Sequence, residues 1–123
     1  MSVHQSGEDY LEAVLMLHEE LGHARSVDVA NKLHVSKPSV SVALRRLRDE
    51  GCVTVADDGN ILLTHEGRRI AVRIYDRHKV LIALLTKLGV SDKVAAEDAC
   101  RVEHVISDQS FAAICKFLGN KIS

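Results

Sequence analysis

Residues 26–50 read SVDVANKLHVSKPSVSVALRRLRDE, and the only proline of the chain lies inside this stretch. Pro38 lacks an amide hydrogen and fixes its own φ, so a helix accepts it only in the first turn. Ser36 stands two residues earlier, where a hydroxyl can cap that helix. Val40, Leu44 and Leu47 follow at helical spacing and predict an inward face. A helix therefore runs from Ser36 to about Glu50, and Gly51 stops it. Upstream, Ser26 is a candidate cap for a short helix over 26–34, with Val29, Ala30 and Leu33 as its apolar face. Ala30 is small where two helices must approach closely, and Val35 falls in the turn between them.

The flanks extend this unit. EDYLEAVLMLHEEL, residues 8–21, places Leu11, Val14, Leu15 and Leu21 at helical spacing, and Gly22 can end that helix. In CVTVADDGNILLT, residues 52–64, the period changes. Val53 and Val55 alternate, DDGN makes a turn, and ILLT returns as a second strand of a β-hairpin. Three helices followed by a hairpin is the order of a winged helix-turn-helix. A long helical pattern then runs from about His65 to Leu88, with Gly89 as its stop. Ser91 caps another helix through Ile106, and Ser107 or Asp108 caps a last one closed by Gly119. The expected fold is mainly α. An N-terminal winged helix-turn-helix (residues 1–74) is joined by a long helix to a second, helical domain (residues 75–123).

Composition narrows the function. The chain of 123 residues is 46% hydrophobic and 27% charged, a globular balance rather than a disordered one. No apolar run is long enough to span a membrane. The N-terminus lacks a basic region followed by an apolar stretch, so a cytoplasmic location is expected. Three cysteines (Cys52, Cys100 and Cys115) at wide spacing form no disulfide framework. Cys52 and Cys115, with apolar neighbours, read as small core residues. The net charge is −1, but residues 22–75 carry nine basic and six acidic side chains. A basic middle set in an acidic remainder suggests two tasks in one chain.

The basic middle points to double-stranded DNA. Lys37, Ser39, Ser41, Val42, Arg45 and Arg46 fall on the helix face opposite Val40, Leu44 and Leu47, and Arg25 and Pro38 flank them. Short hydroxyls at a helix N-terminus can meet phosphate, and arginine can neutralise phosphate or read guanine. A solvated basic face would look the same in isolation; the hairpin and the A-x-x-L-x-V-S turn pattern favour a DNA reader.

The acidic remainder points to a metal. In EDACRVEHVIS, residues 97–107, Cys100, Glu103 and His104 stand at i, i+3 and i+4. On a helix these share one face. Asp9 and Glu12 share a face of the first helix, and His78 interrupts the apolar stripe of Ile74, Leu81 and Leu85. Each feature alone has an ordinary reading, as surface charge or core histidine. Together they offer six groups of mixed hardness, which suit a divalent first-row ion: carboxylates favour Mn²⁺ or Fe²⁺, and the thiolate adds affinity for softer ions such as Co²⁺ or Zn²⁺ in vitro. Glu103 beside His104 and an ion could instead be the general base of a metal-dependent hydrolase. No nucleophile motif or substrate-loop glycine cluster accompanies it, so neither enzymatic activity nor a small-molecule substrate is expected. The alternative kept open is a metal-independent winged-helix regulator that senses a small organic ligand.

These segments resemble the diphtheria toxin repressor family, and within it the manganese transport regulator branch. EDYLEAVLML resembles the family's first helix, ARSVDVANKLHVSKPSVSVALRRL its helix-turn-helix, DRHKVL its linking helix and EDACRVEHVIS its metal-binding helix. By position, Asp9, Glu12, His78, Glu103 and His104 match ligands of the manganese regulators. Cys100 matches the iron-responsive branch instead, where the manganese branch has Glu. The iron branch in turn has Met where this chain has Asp9. Ile82 and Ala96 stand where the iron branch has a carboxylate and a histidine of a second site. The chain ends before that branch's SH3-like third domain. The resemblance implies a metal-dependent repressor of metal-uptake genes that senses Mn²⁺ or Fe²⁺. It further implies a homodimer on a palindromic operator, with metal joining the first helix to the later ones. The interface is expected through Val102, Val105, Ile106, Phe111, Ile114 and Phe117.

Overall fold

The computed structural model describes residues 5–119. Its elements follow in the order α1 (Gln5–Leu21), α2 (Ser26–Leu33), α3 (Lys37–Asp49), β1 (Val53–Val55), β2 (Ile61–Leu63), α4 (His65–Lys87), α5 (Asp92–Val102) and α6 (Asp108–Phe117). The chain divides into two compact units at Val72/Arg73, inside α4. Among the described residues, no helix is long and apolar enough to cross a membrane.

The first unit is a winged helix-turn-helix. The Ser36 side chain accepts the Ser39 amide at 3.2 Å and caps α3 with Pro38 in its first turn, while Val40, Leu44 and Leu47 turn inward and are buried. The N-cap of α2 is Arg25 rather than Ser26, because the Arg25 amide donates to the Asp28 carboxylate at 3.0 Å. This acidic group three residues into the helix takes up an otherwise orphaned donor. The turn between α2 and α3 is closed by His34, left-handed at φ 57°, ψ 46°. Histidine is among the few non-glycine residues that enter this region with any frequency. The Val35 amide then donates to the Ala30 carbonyl at 3.1 Å.

The hairpin pairs Val53 with Leu63, Thr54 with Leu62 and Val55 with Ile61, antiparallel. It is tied down at its base. The Ile61 amide donates to the Ala24 carbonyl at 2.7 Å, and the Ala24 amide donates to Asn60 Oδ1 at 2.8 Å. His18 Nε2–H on α1 donates to the Ile61 carbonyl at 2.7 Å. Where α4 begins, Gly67 lies against the Cys52 carbonyl so closely that a Cβ there would stand 1.9 Å from the oxygen. The close approach seats α4 on the start of the wing.

The second unit holds most of α4 with α5 and α6. Ile74, Val80, Leu81, Ala95 and Ala99 are its buried apolar residues. Ser91 caps α5 by accepting the Val94 amide at 3.3 Å, and Ser107 caps α6 by accepting the Ser110 amide at 3.0 Å. The helix expected through Ile106 stops at Val102; residues 103–105 form a turn. No residue of α6 is fully buried, and Val105 (73% exposed) and Phe117 (71%) present apolar side chains to solvent.

Candidate metal centre and DNA-reading face

Glu103 follows the last residue of α5 yet keeps helical backbone angles, φ −57° and ψ −27°, and its amide still donates to the Ala99 carbonyl at 2.9 Å. Its side chain is completely buried. Burying a carboxylate is costly unless charge or hydrogen-bond partners compensate. Here Oε1 meets His78 Nδ1 at 2.7 Å, and Oε2 lies 3.5 Å from His104 Nε2. The His104 side chain is 1% exposed. The Cys100 Sγ lies within 4.8 Å of a Glu103 carboxylate oxygen, although Cys100 as a residue is exposed. The face expected from the i, i+3, i+4 spacing is therefore formed, although the last two of its members lie in the turn after the helix.

A buried carboxylate between two imidazoles, with a thiol beside it, is a fitting donor set for a divalent transition ion. The nitrogen donors suit such ions better than magnesium or calcium. His78, Glu103, His104 and Cys100 all belong to the second unit. Asp9 and Glu12 belong to α1 of the first unit, where Glu12 is buried and Asp9 half-buried. Between them, the Tyr10 phenol is pushed above its usual range by burial and then by the Asp9 carboxylate.

On the first unit, Lys37, Pro38, Ser39, Ser41, Val42, Arg45 and Arg46 are all exposed. They share the side of α3 that Val40, Leu44 and Leu47 leave to solvent. Val42, 60% exposed, offers an apolar contact of the kind a thymine methyl accepts. Arg25 stands apart from this face. Its Nε donates to the Asp58 carbonyl at 3.2 Å and its guanidinium lies 3.6 Å from the Asp58 carboxylate, in the turn of the wing. His18, Asn60 and Gly67, which hold the wing, carry no local signal of that role in the sequence. No periodicity marks a histidine that donates to a strand 43 residues away, and a glycine inside a helix reads as a weak point until its neighbour is seen. Cys52 is buried as expected, and burial followed by the Glu50 and Glu66 carboxylates raises its thiol pKa; Cys115 is only half-buried.

A winged helix-turn-helix followed by a helical unit with a buried carboxylate–imidazole cluster is the arrangement expected of a metal-dependent, DNA-binding transcriptional regulator. Residues 3–61 match the iron-dependent repressor N-terminal DNA-binding domain, and residues 64–121 match the iron-dependent repressor metal-binding and dimerisation domain. The chain is 36% identical over 110 residues to the transcriptional regulator MntR of Escherichia coli O157:H7, covering 89% of this chain and 71% of that one. It is 33% identical over 112 residues to the diphtheria toxin repressor of Corynebacterium diphtheriae, covering 90% of this chain and 50% of that one. A solved manganese-dependent transcriptional repressor in complex with manganese superposes with a TM-score of 0.84 at 30% identity, covering 92% of this chain and 52% of that one. The chain thus spans about half the length of the diphtheria toxin repressor and of that solved structure. It belongs to the iron-dependent repressor family, and it is a metal-dependent repressor.

Proposed function

We propose that this protein represses metal-uptake genes when Mn²⁺ or Fe²⁺ is sufficient, binding a palindromic operator as a homodimer. In this reading residues 1–74 read DNA, and residues 75–123 bind metal and dimerise. The observation that carries it is the buried Glu103 carboxylate between His78 and His104. His78, Cys100, Glu103 and His104 would hold the ion, with Asp9 and Glu12 of α1 completing the set. The ion would supply positive charge to a buried carboxylate and bind the two states of the protein unequally. Such differential affinity is the only way a ligand shifts a conformational equilibrium. Asp9 keeps the site hard enough for Mn²⁺, while Cys100 adds affinity for softer ions.

Lys37, Pro38, Ser39, Ser41, Arg45 and Arg46 would meet DNA, with Arg25 bracing the wing beside them. The exposed Val105 and Phe117 side chains, with Val102, Ile106, Phe111 and Ile114, would be covered by the second copy. Symmetry of the dimer would set the half-site spacing. The test is operator binding measured with EDTA, then with Mn²⁺ or Fe²⁺ restored. Binding should vanish with the chelator and return with either ion. Equal binding in both conditions would reject metal dependence.

A further inference from the structure

Two imidazoles and a carboxylate hold an ion well only if the segments that carry them are held in register. His78 is part of α4, a long helix. Glu103 and His104 lie in the turn between α5 and α6, and α6 buries no residue fully. The apolar core is therefore a weak device for pinning that turn.

Arg77, the neighbour of His78, supplies a stronger one. Its side chain is only 3% exposed. One guanidinium nitrogen donates to the Ile106 carbonyl at 2.5 Å, and another donates to the Asp108 carboxylate. The Phe111 ring centre lies 5.1 Å from the guanidinium carbon. Arg73, one turn earlier on α4, donates to the same Asp108 oxygen at 2.9 Å. Asp108 opens α6, where the helix dipole favours a carboxylate. A buried guanidinium is tolerated only where acceptors meet its donors. These acceptors are a backbone carbonyl two residues after His104 and a carboxylate two residues further on. The guanidinium thus grips the chain just beyond Glu103, which meets His78, and His104, which lies against Glu103.

We infer that Arg77 is a positioning residue of the metal centre. By holding Ile106 and Asp108 it fixes the turn that carries Glu103 and His104 against α4. The inference rests on the reading of His78, Glu103 and His104 as metal ligands. Lysine is a poor substitute, since a single ammonium lacks the planar fork that spans two acceptors. Groups that orient ligands without touching the ion typically change metal affinity by about 10- to 100-fold when removed.

The test is a Co²⁺ titration followed by visible absorption, on the full chain and on Asp108→Ala, Arg77→Lys and Arg77→Met, each checked for helical content by circular dichroism. Asp108 is 84% exposed, so its replacement leaves the core intact. Asp108→Ala should weaken Co²⁺ binding roughly tenfold and shift the ligand-field bands, and Arg77→Met should weaken it toward a hundredfold. Arg77→Lys should fall between them. If Arg77→Met does not fold, Asp108→Ala decides alone. Unchanged affinity and an unchanged spectrum in folded variants would overturn the inference and leave Arg77 a core ion pair. An unmodified protein that gives no ligand-field bands would instead remove the metal reading, and this inference with it.

Discussion

The two units of the molecule are stabilised in different ways. In the first, α2 and α3 each turn a stripe of aliphatic side chains inward, and Val29, Val40, Leu47, Cys52, Val53 and Ile61 are buried almost completely. Hydrogen bonds that join Ala24 and His18 to Asn60 and Ile61 fasten its wing. In the second, the buried apolar set is short, and the most enclosed groups include Arg77, Glu103 and His104. Aliphatic burial is non-directional and needs no further partner. Buried charges stabilise only when each finds its complement. The wing and the α2–α3 pair are therefore held by apolar packing and backbone hydrogen bonds, whereas under the proposed function the second unit would gain from a cation and from a second copy of the chain. A sensor needs that asymmetry: the part that recognises DNA stays fixed while the part that recognises metal has something to gain.

Breaking the first unit should have the largest effect. Gly67→Ala would drive a methyl group into the Cys52 carbonyl, a backbone atom that cannot swing aside. Overpacking of this kind costs roughly 3 kcal/mol, and the melting temperature should fall accordingly in a thermal scan, with or without metal. A melting temperature unchanged by the substitution would mean that α4 does not seat on the wing as described.

A smaller effect should come from the reading face. Lys37→Ala and Arg45→Ala are changes at exposed positions and should leave melting and metal binding intact. Each should weaken operator binding by roughly tenfold, and a lost phosphate contact should reduce the salt slope by about one unit. A titration of labelled operator at several salt concentrations reads both. Unchanged affinity in both variants would move the DNA contacts off α3.

The same contrast explains what the sequence made legible. Local rules placed the reading head: Ser36 capping, Pro38 in the first turn and the Val40, Leu44, Leu47 stripe all stand in the structure as expected. Ser91 and Ser107 also cap the helices assigned to them. The misplaced features depend on individual side-chain partners that helical periodicity does not reveal. Arg25 displaced Ser26 as a cap because Asp28 captures its amide. The α5 helix ends at Val102 with no glycine or proline to announce it, while the Ile106 carbonyl goes to the side chain of Arg77. The proximity of Cys100 and His104 to Glu103 was readable from spacing, since the three fall within one helical turn. The clamp behind them was not, because nothing in residues 70–80 singles out a buried arginine among Arg73, Arg77 and Lys79.

Under the proposed function, α2, α3 and the hairpin are complete without metal while the segment around Glu103 and His104 depends on it. Amide hydrogen exchange of the full chain, in EDTA and then in saturating Mn²⁺, measures this residue by residue. Amides of α2, α3 and the hairpin should exchange equally slowly in both conditions. Amides between Ala99 and Ser110 should become at least about tenfold more protected with the ion, and those near Asp9 and Glu12 should follow. Protection gained chiefly in α3, or none gained between Ala99 and Ser110, would contradict this dependence on metal.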